Sequence, residues 1–167
     1  MLSVLASAAA LSCMSTPMAD ANLNPVGEAA YKKAFFYLYD ASLCARETPF
    51  SWAQNKDGEF SLALDYKRKF SSEQLVKATI VEMSRLSGQD KAVFAKLETP
   101  MADCFPDVEK GDQIIGVSLG ENEAKFYYNG TPSCEIKWDG FRENFFGIWL
   151  SDNTRMPKKS KRLRGVK

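Results

Sequence analysis

The sequence predicts an α+β domain, an antiparallel β-sheet with helices packed mainly on one face in the manner of an open-faced β-sandwich. Three observations carry this prediction. Between Ile114 and Trp138 apolar residues recur at every second position in three consecutive runs, and turn residues separate the runs. At Asp139 the period changes to that of a helix, with Phe141, Phe145, Ile148 and Trp149 on one stripe. A second helical stripe follows Ser71, and 167 residues at 45% hydrophobic content suffice for one core. We expect about five to seven strands, with helices over 72–87, roughly 90–104 and 140–150.

The chain opens on a short apolar stretch, Leu2 to Met14, followed by Ala19-Asp20-Ala21, which has the small-x-small form of a signal-peptidase site. Residues 1–21 therefore read as a signal peptide, cleaved before Asn22, and the protein as periplasmic or secreted. No Lys or Arg precedes the apolar run, a departure from the usual export pattern. Ala10-Leu11-Ser12 before Cys13 does not have lipobox order. Cleavage leaves Cys44, Cys104 and Cys134; either Cys104 bridges Cys134 or the thiols are buried.

From Lys33 to Cys44 both parities are apolar, so this run reads as one interior strand, with Phe35, Tyr37, Tyr39, Ala41 and Leu43 on one face. Asp40 interrupts the other face, where a carboxylate accepting local hydrogen bonds is the expected role. Thr48 to Gly58 is a loop, and Phe60, Leu62, Leu64 and Tyr66 alternate as the next strand. Ser71 and Gln74 form a capping box; Gly88 ends the helix they open. A second helical stretch from about Asp90 is kinked or restarted at Pro100. Asp107, Glu109 and Asp112 lack the ligand density of a calcium loop and read as a solvated turn around Gly111. Gly120-Glu121-Asn122 and Asn129-Gly130 then turn the meander, the latter in preference to a glycosylation sequon at Asn129. Asp139 is placed to cap the last helix.

The composition excludes several function classes. No histidine is present, so Ser-His-Asp and Cys-His nucleophile pairs and His-ligated metals are ruled out. There is no CxxC pair, and no glycine-rich phosphate loop follows a strand, so neither a metal nor a nucleotide cofactor is implied. Catalysis would rest on Tyr, Lys, Arg or carboxylates. The last ten residues, 158–167, hold six basic residues and no acid, and read as a solvated basic tail rather than a nucleic-acid or lipid-binding element.

Several segments together carry a family resemblance: YDASL at 39–43, the pattern from Leu62 to Met83, FPDV at 105–108, KGD at 110–112, the FYYNG hairpin at 126–130, and FFGIWLS at 145–151 followed by Thr154 and Pro157. In order and spacing they resemble the bacterial chalcone isomerase-like family, a branch of the chalcone isomerase fold, over roughly residues 26–157. The resemblance implies a domain spanning 22–157 and a ligand cleft between sheet and helices. Plant enzymes of the fold hold the developing oxyanion with an arginine, a tyrosine and an asparagine; the matching positions fall near Ala30, Ser71 and Ala78, and none is retained. Such donors supply the catalytic term itself, so the resemblance does not bring chalcone cyclisation with it. It implies instead binding of a small apolar ligand, acyl or aromatic, as in fatty-acid-binding relatives. The alternative is an isomerase or intramolecular lyase acting on a small aromatic or enone substrate, with catalytic residues unassigned. Tyr37, Tyr39 and Tyr66 sit on strands whose apolar parity can line such a cleft; they are the candidate ligand-binding residues, or else core residues with hydroxyls at its edge.

Overall fold

Six strands cross one antiparallel sheet in sequence order: β1 (Asn24–Lys33), β2 (Phe36–Ala45), β3 (Phe60–Tyr66), β4 (Gln113–Ser118), β5 (Glu123–Tyr128) and β6 (Thr131–Lys137). The computed structural model describes Cys13 and residues 22–167. The expected signal peptide and its cleavage site thus lie outside the described residues, Cys13 excepted. Helix α1 (Ser72–Ser87), a 3-10 segment (Lys91–Leu97) and α2 (Glu98–Cys104) connect β3 to β4. After β6, a π-helical turn (Arg142–Phe146) continues into α3 (Gly147–Leu150), and α4 (Pro157–Leu163) ends the order.

Local chemistry explains where most elements begin and end. The Ser71 hydroxyl accepts from the Gln74 amide at 3.2 Å and the Gln74 side chain accepts from the Ser71 amide at 2.9 Å, closing the capping box that starts α1. Gly88 ends the helix in the left-handed region at φ 70°. Asn129 and Gly130 both take positive φ, the requirement of the tight turn between β5 and β6.

Four expectations are corrected. The interior strand expected from Lys33 to Cys44 begins only at Phe36: Ala34 turns at φ 53°, and Lys33 ends β1, an edge strand paired with β2. Asp139 does not cap the last helix. The segment begins at Arg142, whose amide donates to the Glu121 carbonyl at 3.0 Å, while Asn122 accepts from the Gly140 amide at 2.8 Å. The stretch 158–167 is not a solvated tail, because α4 lies on β1 with Ser160 and Leu163 buried. It reads as polar because only one side of a short helix is withdrawn from water. Finally, β2 carries one more residue than β1 opposite it: Tyr31 pairs with Tyr39 but Lys32 pairs with Tyr37, leaving Leu38 as the extra residue of a bulge.

The large core fills the face covered by the helices. It includes Leu43, Phe60, Leu62, Phe126, Phe141, Phe146 and Met101. On the opposite face Ala63, Ile115, Val117 and Tyr127 form a smaller buried cluster, and a Cys13–Cys44 disulfide ties residue 13 to the sheet. A second disulfide joins Cys104, at the end of α2, to Cys134 in β6 across a Cα separation of 5.1 Å.

Candidate functional site

A cavity of about 160 Å³ lies between the sheet and the helices. Its sheet wall is built by Tyr39 of β2, Leu62, Leu64 and Tyr66 of β3, Ile114 and Gly116 of β4, and Phe126 of β5. These are alternate residues of adjacent strands, the set that the pleat sends to one face. Opposite stand Leu75, Ala78, Thr79 and Glu82 of α1, together with Phe145, Phe146, Ile148 and Trp149.

Two backbone features shape this space. A Cβ on Gly116 would lie 2.9 Å from the Phe126 ring and 3.1 Å from the Phe146 ring, so only glycine lets both rings close over β4. The π-helical turn is the second: the Gly147 amide donates to the Arg142 carbonyl five residues back. It accompanies an arrangement in which the consecutive Phe145 and Phe146 both line the cavity, their rings perpendicular at 5.0 Å. The Phe145 ring also stacks on Phe141 at 5.0 Å and meets Trp149 edge-on at 5.5 Å, fixing the aromatic wall.

The polar residues of the lining are Tyr39, Tyr66, Thr79, Glu82 and Trp149. Trp149 Nε1 donates to the Tyr39 hydroxyl at 3.0 Å, which leaves the tyrosine's own proton for an acceptor. Burial pushes Tyr39 up to about 12 and raises Tyr66 as well, so both remain neutral donors. Tyr31 stacks on Tyr39 at 5.0 Å, and its buried hydroxyl has no hydrogen-bond partner among the described residues. The Glu82 carboxylate accepts from Arg85 Nε at 3.0 Å and from Arg155 Nε at 2.5 Å. No Lys or Arg belongs to the described lining itself.

Of the three tyrosines expected at the cleft, the structure brings together Tyr39 and Tyr66, edge to face at 5.9 Å. Tyr37 does not join them. The bulge at Leu38 reverses the alternation, so Tyr37 points from the opposite face, donates to Asp40 and sits beneath the Lys32 and Lys67 ammonium groups. The positions matching the plant enzymes' polar groups are dispersed. Ala78 lines the cavity, Ser71 is occupied capping α1, and Ala30 offers its carbonyl to Lys159. Sequence reasoning missed Glu82, Trp149 and Thr79 as site residues. A signal existed for two of them: Leu75, Thr79 and Glu82 follow one another at helical spacing beside the stripe of Val76, Ile80 and Met83.

A developing oxyanion would meet neutral phenols but no cation, and the one carboxylate is held by two arginines. The described residues hold no cluster of metal-ligating side chains, and no helix among them is long and apolar enough to cross a membrane.

An open-faced α+β sandwich with an apolar cavity under its helices is the class that fold and site define. The chain belongs to the chalcone isomerase-like family, whose sequence pattern matches residues 12–161. Among solved structures it is similar to a fatty-acid binding protein of Arabidopsis thaliana, at 9% identity and a TM-score of 0.68 over 89% of this chain and 89% of that one. No curated protein is significantly similar in sequence.

Proposed function

We propose that the protein binds a small apolar ligand, acyl or aromatic, in the cavity between sheet and helices and does not cyclise chalcones. The observation that carries this reading is the lining: aromatic and aliphatic walls around about 160 Å³, with Tyr39, Tyr66, Thr79 and Glu82 as the polar residues beside Trp149 and no Lys or Arg among the described lining residues. A dry apolar cavity of about 150 Å³ is enough to hold benzene, so a single ring or one short acyl segment fits without rearrangement. The fold shared with a fatty-acid binding protein supports the same reading. Ala30, Ser71 and Ala78 supply none of the side-chain donors that the chalcone reaction requires, and each lost donor of that kind typically costs about 100 to 1,000-fold in rate. Tyr39 and Tyr66 orient the ligand's polar end, whereas Tyr37 has no part in it.

Two assays test the reading on the same preparation. Displacement of fluorescent acyl and aromatic probes is expected, and Ala78→Phe, which fills the mouth from α1, is expected to weaken it. Absorbance is expected to show no enzyme-dependent loss of a chalcone. Rapid stereoselective cyclisation would establish the isomerase reading instead, and failure of every probe to bind would remove the binding one.

We further propose that the protein is exported and works in an oxidising compartment, cleaved before Asn22. The Cys104–Cys134 disulfide supports the compartment. The exported protein should then begin at Asn22, without the residue 13 that the Cys13–Cys44 disulfide ties to the sheet in the uncleaved chain. A product that keeps residue 13 would refute cleavage at this site.

A further inference from the structure

The turn between β1 and β2 presents the most exposed apolar residues of the described chain. Phe35 is 102% exposed and Phe36 57%, next to each other at the apex of a two-strand ribbon. Large apolar residues left in water as a group mark a surface that meets something else. A collar of cations surrounds them. Lys32 and Lys33 end β1, and Arg68 and Lys69 follow β3; all four are exposed, and none has an ion-pair partner among the described residues. The collar stands beside the tip because the Lys67 amide donates to the Leu38 carbonyl at 2.8 Å, carrying the chain after β3 alongside the turn. The Arg68 guanidinium lies 4.5 Å from the centre of the Phe36 ring. Of the acids on that side, Asp40 is engaged by Lys67 and Tyr37, and Glu28 and Asp65 lie further from the apex along β1 and β3, so cations predominate at the tip itself.

We propose that this tip is a membrane-surface anchor, in which Phe35 and Phe36 enter the acyl boundary of an anionic bilayer while Lys32, Lys33, Arg68 and Lys69 rest among the headgroups. Shape favours a bilayer over a protein partner. A stable protein interface takes roughly 800 Å² from each side, whereas two adjacent rings at a ribbon apex form a narrow wedge. A bilayer accepts such a wedge, and apolar insertion joined to a basic collar is the two-signal arrangement that holds peripheral proteins. The anchor also lies close to the cavity. Tyr39 is three residues along β2 from Phe36, one of them the bulge, roughly 7 to 10 Å at strand rise, so docking would bring Tyr39 and its side of the cavity near the lipid surface.

Flotation of the full chain with phosphatidylcholine vesicles, with and without phosphatidylserine, tests the anchor. Binding is expected with phosphatidylserine, weakened by salt and by its omission. Phe35→Ser with Phe36→Ser should reduce it by about tenfold or more, and Lys32→Gln or Lys33→Gln by roughly fivefold each. Because both rings are exposed, the double variant should keep its thermal unfolding and its displacement of soluble probes, which separates loss of the anchor from loss of the cavity. No binding to phosphatidylserine vesicles, equal binding by wild type and double variant, or a lipid-independent dimer abolished by the same variant would each overturn the proposal; the last would identify a second copy as the occupant.

Discussion

One added methyl group, Gly27→Ala, probes whether the C-terminal helix is part of the fold. Residue 27 lies on β1 directly beneath α4, and a Cβ there would stand 2.2 Å from the Arg162 carbonyl oxygen and 2.6 Å from that of Leu163. Both are backbone atoms, so no change of rotamer relieves the contact and the end of the helix has to lift. Lifting exposes Leu163, which is fully buried, at a cost of about 1.5 to 3 kcal/mol. It also breaks the bond from the Phe50 amide to the Arg164 carbonyl, worth about 1 kcal/mol. The combined loss of roughly 2.5 to 4 kcal/mol should lower Tm by about 5 to 16 °C in a domain of this size. Urea unfolding measures the energy directly. The control is a chain ending at Met156, in which the same substitution should cost almost nothing, because the helix it displaces is gone. A change within about 0.5 kcal/mol in the full chain, or an equal loss in the shortened one, would refute the argument.

Two further predictions concern the covalent and ionisable parts of the core. Replacing both Cys104 and Cys134 by Ser should cost roughly 3 to 4 kcal/mol, the loop-closure term for residues separated by 30 positions, read as a shift in urea midpoint. Alkaline pH should destabilise the fold through Tyr39, whose buried phenol is raised to about 12. The native state keeps this proton above pH 10, where the unfolded chain releases it; the stabilisation is therefore complete below about 10 and lost as pH rises towards 12. Unfolding free energies across that interval should fall less steeply in Tyr39→Phe, and an unchanged slope would show that Tyr39 does not contribute.

What was legible in the sequence was local. The capping box of Ser71 and Gln74, the Asn129-Gly130 turn and the alternation of β4, β5 and β6 each depend on residues a few positions apart, and the structure reproduces them. Strand β1 was not legible because its buried residues are Ala29 and Tyr31, set among Gly27, Glu28 and two lysines. Its partner supplies what its own pattern lacks. Likewise the bulge at Leu38 exists only as a count of β2 against β1, so the face taken by Tyr37 could not be read from β2 alone. That Tyr39 and Tyr66 line one cavity was legible from strand parity. Glu82 was not, since a charged residue on a helix flank looks solvated until Arg85 and Arg155 are seen to hold it at the cavity.

The single residue inserted at Leu38 divides one ribbon into two independently variable parts. Distal to it, Phe35, Phe36 and Tyr37 can be exchanged without altering the wall that Tyr39 helps to build; proximal to it, changes in that wall leave the outward tip untouched. Removing Leu38 would make Tyr37 and Tyr39 neighbours opposite Lys32 and Tyr31 on a regular ladder, keeping Tyr37 outward and losing only the twist that the bulge adds. A family tuning what its members contact outside and what they hold inside would thus have two separate dials on the same pair of strands, with one residue between them.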